Sequence, residues 1–343
     1  MSADNTLTQD ETDQNEVLAS LITMNLVGKH ETPTFEPLTG GVSSAIWKVG
    51  TKNGPICVKR ALSRLKVEAV WEVAPERSRL EADWMRTARA VRPFNIPELL
   101  GEDIERHVLA MDYLAPEDNA LWKSVLRDEQ ADPQFAADLA RTIAAIHAAT
   151  AHDADVAARF ASDLNFHAIR LEPYLEATAR KHQDVHQLLM ALSQRTAAQK
   201  HCLVHGDLSP KNILMGKHGP ILLDAECAWY GDPAFDVAFL LNHLLLKCIW
   251  RPRTAQGFLA CFAAFRDAYL DRIDWERPAD LEARASSLLP GLLLARVDGK
   301  SPVEYVTDSV AKQRIRSFAK PLLLQPPKTL EEVRLAWAGE FAG

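Results

Sequence analysis

The residues whose types and spacing could do chemistry gather in two adjacent runs. They are His205-Gly206-Asp207-Leu208-Ser209-Pro210-Lys211-Asn212 and, just downstream, Leu222-Leu223-Asp224-Ala225-Glu226. Short apolar segments that read as strands flank them, at Cys202–Val204, Ile213–Met215 and Ile221–Leu223. A loop presenting a carboxylate, Asp207, and an amide five residues later, Asn212, suits phosphoryl transfer. That reaction asks for little covalent help, because positioning and charge neutralisation dominate its catalysis. One carboxylate must face the acceptor hydroxyl, and magnesium needs a few oxygen ligands beside the polyphosphate. Asp224 and Glu226 follow at the end of a strand, where alternate residues share a face, so both are expected to point into one site.

A second set lies upstream. Pro55-Ile56-Cys57-Val58-Lys59-Arg60 puts Lys59 at the end of an apolar strand, where a compact ammonium can hold the α- and β-phosphates of a nucleotide. Such a lysine needs an anion to fix it. Glu81, 22 residues on and inside a predicted helix, is the candidate; Glu68, Glu72 and Glu76 are near but precede the regular helix. Gly40-Gly41-Val42-Ser43-Ser44 lies between extended segments, so Gly41 and Ser43 could cover phosphates with backbone N–H groups.

The order His-Gly-Asp, Asn, then Asp-x-Glu resembles the aminoglycoside phosphotransferase and choline kinase superfamily. Protein kinases use a related loop with Arg in the second position and Asp-Phe-Gly downstream, so Gly206 and the Asp224/Glu226 pair favour a small-molecule acceptor. The resemblance covers roughly residues 35–320. It implies ATP and Mg2+ as cofactors and Asp207 as the base or hydroxyl-orienting group. Asn212 and Asp224 become magnesium ligands, with Glu226 a further ligand or a neighbour of one. Met111 and Tyr113 fall where this superfamily's hinge runs beside adenine, and Asp236 where a carboxylate braces the catalytic loop.

Two stretches look more narrowly like methylthioribose kinase. One runs from Val58-Lys59-Arg60 through Trp71 to Glu81, and the other spans Asp224–Gly231 with Phe235-Asp236-Val237. Asn212 departs from that branch and follows the wider superfamily. Trp229 and Tyr230 are candidates for an aromatic wall of the acceptor pocket, and Arg296 for a contact to the acceptor. The expected acceptor is a sugar or amino alcohol. An antibiotic kinase and an ATP-binding pseudokinase scaffold are the rival readings.

The elements that must position these groups divide the chain. The pattern gives an N-terminal extension and helix over 1–29, a small nucleotide-binding lobe over 30–114 and a large catalytic lobe over 115–343. Ser44–Val49 and Ile56–Lys59 read as strands around the hairpin signal Lys52-Asn53-Gly54. Arg77–Val91 reads as a helix, and Glu98–Gly101 and His107–Tyr113 as further strands. Helical periodicity then dominates at 132–149, 170–199, 234–249, 254–272, 279–296, 305–319 and 328–341. The expected class is α+β, a bilobal protein-kinase-like fold with ATP-Mg bound between the lobes.

Composition sets outer bounds. With 343 residues, 47% hydrophobic and 25% charged, the chain can build a sizeable core. A net charge of −7 argues against nucleic acid as a partner, since phosphate binding calls for a basic face. The acidic first sixteen residues do not form a signal peptide, and the apolar stretch near Phe235–Leu246 is interrupted by Asp236, Asn242 and His243. A cytoplasmic protein with no membrane partner and five reduced, mostly buried cysteines is expected. The His182/His186 pair reads as a solvated helix face.

Overall fold

A two-residue turn at Lys52-Asn53 starts the sheet. Gly54 has φ of 114°, a conformation that a residue without Cβ adopts readily, and the Thr51 hydroxyl donates to its carbonyl at 2.8 Å. The computed structural model describes residues 9–38, 44–62 and 77–341. The chain divides into two compact units: Met1–Thr87 with Pro97–Ala115, and Ala88–Ile96 with Pro116–Gly343.

In the first unit five antiparallel strands run in the order β1-β2-β3-β5-β4. They are β1 (Thr34–Pro37), β2 (Ser44–Thr51), β3 (Gly54–Ala61), β4 (Leu99–Asp103) and β5 (Val108–Asp112). Strand alternation sorts β3 between two environments. Val58 joins Trp47, Val49, Val108 and Ala110 in a core that Val17 and Leu21 of the helix Gln9–Thr23 complete. Arg60, two residues along on that same face, pairs with Asp13 and Glu16 of the same helix. Lys59 points the other way and meets Glu81 of the helix Arg77–Val91.

In the second unit helices dominate. The helix Pro233–Trp250 is long and apolar enough to cross a membrane, yet 89% of it is buried inside the fold, as for a core helix. Asp232 caps it by accepting from Ala234 N–H at 3.0 Å, with Pro233 in the first turn. The helices Ala255–Leu270 and Pro278–Asp298 pack against it, and Pro133–Thr150 packs on Ala255–Leu270. Five short strands hold the functional loops: β6 (Ala120–Leu121), β8 (Ile213–Gly216) and β9 (Gly219–Leu222) in one sheet, and β7 (Cys202–Val204) with β10 (Trp229–Gly231) in another. The expected α+β class is the observed one.

Two local readings change, and one strand is added to them. Residues 170–199 are not one helix: a π-helical stretch, His167–Glu176, contains Pro173, whose missing N–H cannot serve an i−4 ladder. The helix expected from 305 starts after Asp308, whose carboxylate caps it through Ala311 N–H at 2.8 Å. Trp229–Gly231 is a strand.

Candidate active site

The loop between β7 and β8 turns at Gly206, whose φ is 76°. A Cβ at this position would stand 2.4 Å from the Cys227 carbonyl oxygen, so both the backbone angle and the space require glycine. Asp236, fully buried, accepts from the backbone N–H of His205 at 2.7 Å and of Gly206 at 2.9 Å. His147 lies 3.3 Å from the same carboxylate through Nε2 and 2.7 Å from the Tyr269 hydroxyl through Nδ1. Since a carboxylate only accepts, His147 donates from Nε2 and is a satisfied core histidine.

His205 ties the two functional runs together. Its Nε2 donates to the carbonyl of Leu223 at 3.1 Å, and its Nδ1 accepts from Asp207 N–H at 3.2 Å. Burial keeps the ring neutral by pushing its pKa down, against the pull of Asp236 and Asp207. The Asn212 amide donates to the Asp207 carbonyl at 3.0 Å, which leaves Oδ1 as its ligand atom. Leu223 N–H donates to the Asn212 carbonyl at 2.9 Å. The segment carrying Asp224 is therefore stitched to the loop carrying Asp207 and Asn212.

Asp207 is 4% exposed and takes two cations on one oxygen, Arg170 at 3.0 Å and Lys211 at 2.9 Å. Burial opposes its ionisation, but Arg170 and Lys211 outweigh burial and hold the carboxyl below the usual range. Arg170 is the stronger of the two, because its side chain is 8% exposed whereas that of Lys211 is 47% exposed and screened by water. Arg170 also donates to the carbonyls of Gly206 and Ile169. It was not foreseen from sequence, being 36 residues from Gly206. The available signal was Pro173 inside a helical pattern, since irregular helical turns recur at functional sites.

Asp224 follows β9 with φ of 64°, a left-handed backbone that Asp tolerates better than most residues. Glu226 lies in the following turn, and its carbonyl accepts from the Asn165 amide at 3.2 Å. The strand-alternation argument for a shared face of Asp224 and Glu226 is thus corrected, because β9 ends at Leu222. Among the described residues no three His, Cys, Asp or Glu side chains gather closely enough to hold a metal by themselves. Magnesium does not ask for such a cage; it takes one or two carboxylates and completes its shell with phosphate oxygens and water. A carboxylate on Asp224 with an amide oxygen on Asn212 is a donor set of that kind.

The acceptor candidates fare differently. Trp229 is 1% exposed, stacks on Phe166 at 4.2 Å and donates its Nε1–H to Asp163 at 2.8 Å. Tyr230 is buried too, and its hydroxyl donates to the His201 carbonyl at 2.9 Å. Both rings pack inside the fold with their polar ends bonded there, so the aromatic-wall expectation for both is corrected to core packing. Arg296 is buried against Tyr174 and Ser301. His182 faces Asp298 at 2.8 Å and His186 faces the Ala179 carbonyl, so separate partners hold that pair.

In the first unit Lys59 and Glu81 form a buried ion pair at 2.7 Å, with side chains 8% and 3% exposed. Met111 is buried on β5, opposite Cys57 of β3. Tyr113 follows β5, its ring centroid 5.1 Å from the Lys48 ammonium. Gly41 and Ser43 lie outside the described residues, as do Glu68, Glu72 and Glu76. All five cysteines are thiols; four are buried, and burial pushes Cys57 up to about 12.

The model of the phosphotransferase enzyme family matches residues 34–281. A methylthioribose kinase of Yersinia enterocolitica is 26% identical over 65% of this chain and 62% of its own length. The chain thus spans about three fifths of the curated relatives it matches. Among solved structures, choline kinase from Cryptosporidium parvum Iowa II superposes with a TM-score of 0.54 at 13% identity, covering 93% of this chain and 99% of that one. The amicoumacin kinase hAmiN, in complex with AMP-PNP, Ca2+ and Ami, superposes with a TM-score of 0.53 at 14% identity, covering 94% and 98%. At these identities the likeness concerns the fold, which is the protein-kinase-like α+β arrangement.

Proposed function

Because the chain belongs to the phosphotransferase enzyme family, we propose that it moves the γ-phosphoryl group of ATP to a hydroxyl of a small molecule in the cytoplasm. The observation that carries this reading is Asp207: a buried carboxylate kept ionised by Arg170 and Lys211 on a loop that also bears Asn212 and is tied to Asp224.

In this reading Asp207 accepts a hydrogen bond from the acceptor hydroxyl, aims its lone pair at the γ-phosphorus and takes the proton as the new P–O bond forms and the bond from the γ-phosphorus to the departing ADP breaks. The depressed pKa of Asp207 makes it a weak base, so orientation is its larger contribution. Asn212 and Asp224, with Glu226 adjacent, would hold Mg2+, which when bound neutralises charge on the phosphates. Lys59, fixed by Glu81, would hold the α- and β-phosphates, Gly41 and Ser43 would cover them, and backbone atoms near Met111 and Tyr113 would meet the adenine.

The test is ADP release from ATP-Mg against methylthioribose, other pentoses, amino alcohols, hydroxy acids and aminoglycosides, with Asp207→Asn as the blank. Acceptor-dependent release that falls by about 10²–10⁴ in Asp207→Asn supports the assignment. Full activity in Asp207→Asn would remove it.

A further inference from the structure

A line of contacts leads away from Asp207 inside the second unit. The Arg170 guanidinium that pairs with Asp207 lies 5.7 Å from the ring centroids of both Tyr174 and Phe239. Tyr174 also carries Arg296, whose guanidinium lies 5.5 Å from its ring and donates to its hydroxyl at 3.1 Å. Phe239 meets His243 at 5.3 Å. One face of the helix Pro233–Trp250 then continues by helical steps through His243 and Lys247 to Trp250.

Three side chains at the end of this line, Lys247, Arg296 and Tyr305, bring donors that meet no carboxylate among the described residues. The Lys247 side chain is 1% exposed, with its ammonium 4.1 Å from the Tyr305 ring and 4.3 Å from the Trp250 ring. Among the described residues no carboxylate lies within ion-pair distance of it; Glu304, the nearby one, is paired with Lys123. Arg296 is 8% exposed; its Nη1 donates to Tyr174 and Ser301, but among the described residues it has no carboxylate partner and its Nε–H is buried without an acceptor. The Tyr305 hydroxyl is likewise buried with no partner among the described residues. Burial first and then Lys123 bring Lys247 down to about 7, against an upward pull from Glu304, with smaller downward parts from Arg296 and Arg251. Burial and the charges of Arg296, Lys247, Lys211 and Lys123 hold His243 well below its ordinary value.

Burying a cation without a counter-charge is strongly unfavourable, and aromatic faces offset only part of the cost. Groups arranged in this way suit a ligand that brings acceptors and negative charge. Resting on the phosphotransferase reading above, we propose that the acceptor is an acidic alcohol, bearing a carboxylate or a phosphate, and that Lys247, Arg296 and Tyr305 bind its anionic group. A polycation or a quaternary ammonium alcohol would add like charge to this place. The segment 299–308 is neither helix nor strand and lays Tyr305 over Lys247, so admitting the anion requires Tyr305 to turn aside.

The experiment uses the full chain with ATP-Mg and five probes: glycerate, glycerol 3-phosphate, glycerol, choline and methylthioribose. Thermal stabilisation and ADP release are measured for wild type, Asp207→Asn, Lys247→Met, Lys247→Arg and Arg296→Gln. One or both acidic probes should stabilise wild type and Asp207→Asn; which of them does so tells carboxylate from phosphate. Lys247→Met and Arg296→Gln should lose that stabilisation and raise KM about tenfold or more with a smaller change in kcat, while Lys247→Arg retains part of it. Lys247→Met should also raise the Tm of the ligand-free protein, as removal of an unpaired buried cation would; a purely structural lysine would lower it.

The proposal is overturned if neither acid stabilises the protein, if both variants respond to acid like wild type, or if glycerol, choline or methylthioribose is the preferred acceptor. Acid binding that depends on Lys247 and Arg296, without any Asp207-dependent ADP release, would keep the anion site and overturn the kinase reading instead.

Discussion

Arg170 reaches Asp207 at 3.0 Å from a π-helical stretch, and the same guanidinium donates to the carbonyl of Gly206. One cation therefore fixes both the charge of the candidate catalytic carboxylate and the backbone of the loop that presents it. Arg170 acts through Asp207, which makes it a positioning residue.

Replacing Arg170 with Met should lower kcat by about tenfold to a hundredfold, the scale for losing one charged group aimed at a reacting centre, discounted for indirect action. The sign of the pH effect is fixed. Asp207 is held below its usual pKa, so its pairing stabilises the fold at neutral pH, and that contribution is lost as pH falls below about 4 towards the depressed value. Without Arg170, burial pushes the carboxyl upward. The acid limb of the kcat/KM profile should move to higher pH in Arg170→Met, with partial return in Arg170→Lys. An unmoved acid limb would reduce Arg170 to a packing residue.

Gly206→Ala should damage the loop more than any other single methyl there. The new Cβ meets the Cys227 carbonyl oxygen at 2.4 Å, at a φ of 76° that costs an L-residue further. A loss of about 2–4 kcal/mol is expected in urea unfolding, together with loss of turnover. A stable, active Gly206→Ala enzyme would show that this turn has freedom the packing denies it.

Local patterns made much of this legible in the sequence, and through-space relations did not. The hairpin at Lys52-Asn53-Gly54, the helix Arg77–Val91 and the Asp232-Pro233 start of the core helix all rest on short-range chemistry, and each is present. The pairing of Lys59 with Glu81 followed from one need, a partner for a buried ammonium. Arg170, by contrast, is distant in sequence from Asp207 and sits in a helical pattern that offers no chemical hint besides Pro173. Trp229 read as pocket-facing because aromatic residues next to a functional strand suit that role; only its stacking on Phe166 and its bond to Asp163 show that it is core. The strand argument for a shared face of Asp224 and Glu226 failed because β9 ends at Leu222, two residues before the first and four before the second.

The Lys59–Glu81 pair can be tested as a unit. Both side chains are buried, so removing either alone takes from the other its charged partner at 2.7 Å, whereas removing both together leaves neither charge behind. Lys59→Met and Glu81→Gln should each lower kcat/KM for ATP by about tenfold or more, and the double variant should lose much less than the sum in stability. Additive losses in a double-mutant cycle, by chemical denaturation, would mean the two groups do not depend on each other.

Asp236 supports the site from below, and its removal should show how much of catalysis is loop geometry. It takes two backbone N–H groups, from His205 and Gly206, and the ring of His147. Asp236→Ala leaves all three donors buried without an acceptor, each lost partner costing about 1–3 kcal/mol, so a large fall in Tm is expected. Asp236→Asn keeps one acceptor oxygen but turns an amide N–H towards a donor, so it should be intermediate in stability. The informative measurement is turnover in Asp236→Asn at a temperature where it remains folded. If Asp236 works only through the loop, kcat falls while the acid limb of the pH profile stays where Asp207 and Arg170 put it. A shifted limb would mean that Asp236 also sets the charge of the site, and the division of labour argued here would have to be redrawn.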